Sequence, residues 1–248
     1  GIPMAFGLET GWIPTARTHP WSRFGVSAWK EVRLHKTAFD ENGDVQRSSE
    51  TVTRARVRRV GLTTFSLSVT STVTVAGRLF PPSPQTLTLP VAPDVSSSKE
   101  MGTATVTVDG NEYETQVIQF VSTDGTTQRT STLHYCETTG PKLLRQQTTT
   151  RDLSTNAVTS ETTVSVTHLT KTRDILGELQ YVWHVTTVCK RGGATITTRE
   201  VKCREVPGEL ISQVTAEVGA SGKLVFRNEL ELVGYGCGPL RNLFRRRR

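Results

Sequence analysis

A chain of 248 residues, 35% hydrophobic, with 30 Lys and Arg against 23 Asp and Glu, is long enough for one large β domain or two smaller ones. Arg241 and Arg245 to Arg248 supply five charges of the formal +7, so the rest of the chain carries only about +2 and argues against a dedicated nucleic-acid-binding fold. No run of eighteen apolar residues exists, which excludes a membrane-spanning helix, and Cys136, Cys189, Cys203 and Cys237 make no C-x-x-C zinc ribbon.

The sequence opens at Gly1 without a basic-then-apolar leader, the start expected where a targeting segment has been removed or the chain trimmed. Residues 1–24 hold Pro3, Pro14, Pro20, Trp12 and Trp21 with no sustained period and read as an irregular arm packed by its aromatics. Strands over 28–37 and 45–59 then flank Asp40-Glu41-Asn42-Gly43-Asp44, where Asn-Gly marks a two-residue hairpin turn. With Asn42 and Gly43 as the turn, opposed positions sum to 85. Val32 then faces Thr53, Leu34 faces Thr51, Glu31 faces Arg54 as an ion pair, and Trp29 faces Arg56 as a cation over an indole.

Phe65, Leu67, Val69, Val73 and Val75 alternate with Ser66, Ser68, Thr70, Thr72 and Thr74, a strand with one buried and one wet face. Over 79–98 the prolines 81, 82, 84, 90 and 93 and the run Ser96-Ser97-Ser98 break regular structure except around 87–91, and the main boundary is placed there.

The rest of the chain repeats itself at an offset of 67. Gly110 falls on Gly177, Gly125 on Gly192, Cys136 on Cys203, Leu143 on Leu210, Leu144 on Ile211 and Gln146 on Gln213, with a Gly140-Pro141 corner answering Pro207-Gly208. Each copy reads as a four-stranded meander, and no segment has helical periodicity. The fold class expected is all-β, long antiparallel meanders forming a curved sheet, half-barrel or barrel with an internal duplication. The chain divides into an arm over 1–24, a β unit with a Pro-rich connection over 25–98, a first repeat over 99–170, a second over 171–234, and a basic tail over 235–248.

Motifs that would name a reaction are missing: no G-x-S-x-G elbow, no phosphate-binding G-x-x-x-x-G-K-[ST] loop and no dinucleotide fingerprint. His19, His35, His134, His168 and His184 are scattered and read as surface or strand-face residues. Asp40-x-Asn42-x-Asp44 resembles the start of a calcium loop, but Val45 stands where glycine is required and Thr51 where the bidentate glutamate belongs. Gly234 to Gly238 reads as a flexible exit from the last strand. Cys136 and Cys203 read as equivalent small buried residues, a disulfide between them staying open. No catalytic residue, metal site or cofactor is therefore expected, and the chain reads as not an enzyme.

The basic stretch Arg54, Arg56, Arg58 and Arg59 is the one candidate binding feature inside the fold. A period of two puts the first three on one face, suited to phosphate or acidic polysaccharide, or equally to discouraging edge pairing. The tail ending in Arg245, Arg246, Arg247 and Arg248 is a second polyanion-binding candidate or a solubilising end.

The Trp29-Lys30-x-Val32-Arg33 opening before an Asn-Gly hairpin, with long Thr-rich meanders in tandem, resembles uncharacterised secreted β proteins of bacterial envelopes. Over about 26–234 the layout also resembles the lipoprotein-carrier fold, a curved half-barrel that holds an acyl chain. Those carriers close their concave face with helices, which this sequence lacks, so no ligand-binding residues carry over. The resemblance implies a periplasmic, cell-envelope or extracellular protein that binds or scaffolds through an extended sheet. Its partner is expected to be an anionic envelope polymer, a membrane surface or a hydrophobic ligand, ahead of nucleic acid. A hydrophobic-ligand carrier is the alternative, and a polyanion binder using the basic strand and tail comes next.

Overall fold

The computed structural model describes residues 19–90 and 98–238, which hold thirteen strands and no helix. In chain order they are β1 (Trp29–Phe39), β2 (Val45–Val60), β3 (Thr64–Val75), β4 (Arg78–Pro90), β5 (Ser98–Val108), β6 (Asn111–Asp124) and β7 (Thr127–Tyr135). There follow β8 (Leu143–Asp152), β9 (Val158–Ile175), β10 (Glu178–Arg191), β11 (Ala194–Lys202), β12 (Leu210–Val218) and β13 (Leu224–Gly236). All form one sheet in the order β4-β3-β2-β1-β13-β12-β11-β10-β9-β8-β7-β6-β5, so the fold class is all-β as expected.

The last strand pairs with the first, Leu34 against Leu230, so β1 and β13 meet in mid-sheet while consecutive strands β4 and β5 form the two outer edges. Thirteen strands laid flat would span roughly 55 Å at the usual spacing. The eight steps from Pro90 to Ser98 reach at most about 28 Å. Connectivity alone thus forces the sheet to curve, and it does so without closing. Ten of its twelve strand pairings contain a register shift, the exceptions being β6 with β7 and β10 with β11. Such shifts bend strands locally and raise their twist.

The first hairpin keeps the expected register, with opposed residues from Trp29↔Arg56 to Ala38↔Arg47 summing to 85. Its turn differs. A shift after Ala38 pairs Phe39 with Val45, leaving a five-residue loop in which Gly43 (φ +90°) alone is left-handed. Asp40 holds it, its Oδ1 accepting the amides of Asn42 at 2.8 Å and Asp44 at 3.0 Å. The acidic turn resembling a calcium loop is therefore closed by the Asp40 carboxylate on its own backbone amides.

The prolines over 79–90 do not break structure as expected. They lie in β4, an edge strand whose outer side needs no donors, and Pro81 and Pro82 fall in the shift between Ser71↔Ser83 and Val73↔Phe80.

The duplication is carried by element bounds and by register. Strands β6 and β7 move onto β10 and β11 at an offset of 67, and β8 and β12 start in step at Leu143 and Leu210. Leu133↔Gln146 answers Glu200↔Gln213, and the shift after His134 answers the one after Val201. Buried Cys136 and Cys203 each begin a corner with an amide bond of 2.8 Å, to Lys142 and Glu209 respectively. Both thiols are free, and each cysteine closes its own copy's corner through its backbone amide.

One sheet face is buried. Trp21, Phe24 and Ala28 from the segment before β1 cover Ala55, Val57, Phe65, Leu67 and Val69, and the β5–β6 hairpin folds Val106 and Val108 onto Leu144, Val164, Val166 and Trp183. Between these apolar clusters the same face carries hydroxyl pairs, Thr53 with Ser71 at 3.0 Å, Ser131 with Thr148 at 2.9 Å and Thr198 with Thr215 at 3.0 Å.

The covering segment is seated on the second corner. Arg23 donates to Glu209 at 2.8 Å, and Trp21 lies where a Cβ on Gly208 would come within 2.4 Å of its indole nitrogen. Gly208 also has φ +71°. Gly208→Ala is accordingly expected to cost about 2–4 kcal/mol, combining overpacking with a left-handed alanine. Gly110→Ala, left-handed but facing open space, should cost only about 1–2 kcal/mol. Equal melting-temperature losses in the two variants would show that Trp21 is not seated there.

Candidate functional site

The basic stretch lies on the exposed face of β2. Lys30, Val32, Ala55 and Val57 point into the core, so their neighbours Trp29, Glu31, Arg54 and Arg56 point outward. Arg54 sits over the Trp29 ring at 4.2 Å from its centroid and 4.0 Å from Glu31 Oε2. The cation on the indole is therefore Arg54, the diagonal neighbour, whereas Arg56, directly opposite Trp29, donates to Ser27 Oγ at 3.0 Å.

Beneath Arg54 the Trp29 ring lies flat on β13. A Cβ on Gly236 would meet it at 2.6 Å and one on Gly234 at 3.1 Å. The segment from Gly234 is thus strand as far as Gly236, paired Trp29↔Gly236 and Glu31↔Gly234, and its glycines make room for the indole. The expected flexible exit is corrected accordingly. Larger side chains would lift the ring off the sheet.

Past Arg56 the register shifts. Val57 pairs with Leu67, but Arg59 pairs with Ser66 and Val60 with buried Phe65. Arg58 is the inserted residue, and Arg58 and Arg59 are both exposed after buried Val57, while Val60, itself 40% exposed, returns to the register of Phe65. A strict period of two separates Arg59 from the other three. The bulge gathers all four.

The neighbouring positions on this face are hydroxyls: Ser66, Ser68 and Thr70 on β3, then Thr86 and Thr88 on β4, paired with Ser68 and Ser66. Glu50 is turned to Arg33 at 3.8 Å and His35 at 3.4 Å, and Arg33 is shared with Glu231 at 3.0 Å. Among the described residues Arg56, Arg58 and Arg59 have no carboxylate within ion-pair distance, so their charge is left to solvent. Arg245 to Arg248 lie outside the described residues.

Two other groupings are invisible in sequence. His168 pairs with His184 across β9 and β10, their rings 5.1 Å apart, and Asp109 bonds His168 while its Oδ2 accepts the Leu169 amide at 3.1 Å. The His168 bond holds the Asp109 carboxyl below its usual range, and burial lowers the His184 imidazole. Asp109 turns from the β5–β6 hairpin onto the irregular stretch of β9, so the trio fastens the folded-back hairpin. Only the two-for-one pairing around His184 brings the rings together, and sequence spacing does not contain it.

Lys30 is the second case. It is buried, 5.5 Å from the Trp21 ring centroid, and donates to Leu210 O at 3.3 Å. Burial pushes its ammonium down from 10.5 to about 7 against the pull of Glu209 and Glu200, with Lys202 pushing the same way as burial. Glu200 is itself almost fully buried, 3.0 Å from Lys202 Nζ in a pair not aligned as a hydrogen bond, and accepts from Gln213 at 3.3 Å. Next to this core His19 is lowered to about 4 by burial.

The signs follow from linkage. Between pH 7 and 10 unfolded Lys30 is protonated and folded Lys30 increasingly is not, so stability rises with pH by up to about 1.4 kcal/mol per unit. His19 acts the same way lower down, its stability present above 6.5 and lost as pH falls toward 4. Because Glu200 keeps Lys202 and Glu209 keeps Arg23, Lys30→Met leaves no carboxylate stranded. Denaturant unfolding should find Lys30→Met more stable than the parent at pH 7 and without the rise toward pH 10. A less stable variant at pH 7 would mean that Lys30 is a net contributor as a cation.

No protein-family model and no curated relative matches the chain. Among solved structures it is similar to a Bacteroides fragilis protein described as exported with a YmcC-like fold, 9% identical over 86% of this chain and 99% of that one, at a TM-score of 0.32. It is also similar to a Parabacteroides distasonis protein described as a lipoprotein, 10% identical over 89% of this chain and all of the other, at a TM-score of 0.30. At such scores neither likeness bears on family or function.

Proposed function

We propose that this chain is a non-enzymatic binding protein of the cell envelope or extracellular space that holds an acidic polysaccharide along the exposed face of β2 and β3. The observation that carries the reading is the gathering of Arg54, Arg56, Arg58 and Arg59 on one face by the bulge, three of the four having no carboxylate within ion-pair distance among the described residues. Successive guanidiniums at a strand's two-residue repeat suit a linear ligand with spaced charges. The hydroxyls of Ser66, Ser68, Thr70, Thr86 and Thr88 beside them match the hydroxyls of sugar rings. Nucleic acid is disfavoured because Trp29, the aromatic beside these arginines, is already covered by Arg54 above and the β13 glycines below and is not free to stack a base. The envelope placement rests on the sequence resemblance. The carrier reading gains no support from a buried face filled by four apolar clusters and the hydroxyl pairs between them.

Binding should be read by calorimetry or biolayer interferometry with polygalacturonate, dextran sulfate and neutral dextran. The expected result is binding to the two polyanions that weakens steeply with added salt, and none to dextran. Arg54→Gln with Arg56→Gln should weaken both polyanions about 3- to 10-fold, at a fraction of a kcal/mol to about 1 kcal/mol per exposed charge. Salt-insensitive binding, or polyanion affinity untouched by the double variant, would overturn the reading.

A further inference from the structure

The bulge does more than add a fourth arginine. Because Val57↔Leu67 is followed by Arg59↔Ser66, two consecutive arginines oppose a single serine, whereas Arg54 and Arg56 each oppose one residue of β3, Thr70 and Ser68. Ser66 in turn pairs with Thr88 of β4, so the position carries two guanidinium groups and two hydroxyls on one exposed face. All four can donate, and Glu31, the acid that attends Arg54, pairs with β2 at Arg54, four residues before Arg58.

A carboxylate offers acceptor sites only in the plane of its two oxygens, and one guanidinium in fork geometry takes the side of that plane they share. A linking phosphodiester likewise has only two non-bridging oxygens. A pendant sulfate ester has three terminal oxygens and can take a second guanidinium and a hydroxyl as well. We propose, resting on the polysaccharide reading above, that Arg58, Arg59, Ser66 and Thr88 form a seat for a pendant sulfate ester, so that the polymer held by this face is a sulfated polysaccharide. Arg54 and Arg56 attract the polymer whatever its acid. The bulge selects the acid. Bulges in antiparallel sheets commonly re-aim a side chain next to a binding site, and here the re-aimed residue is Arg59.

The test compares dextran sulfate with polygalacturonate at matched charge density and fixed salt, for the full chain and for Arg58→Gln with Arg59→Gln. Both residues are exposed, so the variant should melt with the parent, which a thermal scan checks. The parent is expected to prefer dextran sulfate by about tenfold, and the double variant to lose that preference, its dextran sulfate binding falling about tenfold further than the roughly 3- to 10-fold loss of polygalacturonate that removing two surface charges brings. Equal losses for both polymers, a preference that survives the double variant, or single-stranded DNA bound as tightly as dextran sulfate would each overturn the seat while leaving the face a general polyanion binder. Failure of the parent to bind either acidic polymer would overturn the underlying reading instead. Inorganic sulfate competing with dextran sulfate in the parent and not in the double variant would support the seat directly.

Discussion

A single sheet with no helix has only itself to bury its apolar face against, and that constraint organises the described residues. The segment over 19–28 is folded onto one stretch of the buried face and the β5–β6 hairpin onto another, so those two clusters combine strands with a returning piece of chain. Where neither reaches, the face carries hydroxyls bonded in cross-strand pairs, which need no apolar cover. The low hydrophobic content is the compositional side of the same arrangement. Curvature then keeps the two outermost strands within reach of a connection only a few residues long.

Curving so many strands requires departures from regular pairing, and those departures position the chemistry. The shift after Glu31 adjusts β1 to β13 beside the glycines that receive Trp29, and the shift around His184 brings its ring and that of His168 together. The shift at Arg58 gathers the arginines. None of these residues is placed by alternation alone. A fixed period of two describes the strands between bulges and fails across each one, because every inserted residue turns the side chains beyond it to the other face.

The same limit separates the parts of the fold that are legible in the sequence from those that are not. The register of β1 with β2 is legible because a local hairpin, an Asn-Gly turn and two chemically distinct faces all constrain the same sum. The repeat is legible because glycines, cysteines and a Leu-Gln register recur at one offset. Partnership of Arg54 with Trp29 lies one step along β2 from the expected pair, since a long guanidinium reaches its diagonal neighbour as easily as its opposite one. The prolines of β4 mislead because nothing local marks an edge strand: it is an edge only when the thirteen-strand order is known, and that order depends on β13 returning to β1. Lys30 is hidden for a related reason. Alternation puts it on the same face as Val32, but the burial of its ammonium depends on Trp21 and Leu210 closing over it, which no local pattern marks.

The division of labour between the two faces comes from these constraints. The inner face cannot be rearranged cheaply, because its apolar clusters, its buried Glu200 and Lys30 and the seat of Trp21 on Gly208 all depend on close packing. On the outer face side chains meet solvent, and changing one there alters charge without opening a cavity. A bulge links the two, since the inserted residue that lets β2 bend around the core also changes which side chains it presents outside. Curvature required by the core and the arginine arrangement on the surface are thus consequences of one backbone irregularity. Removing Arg58 as an inserted residue would straighten β2 under Phe65 as well as thin the charge above it, whereas changing its side chain touches the surface alone.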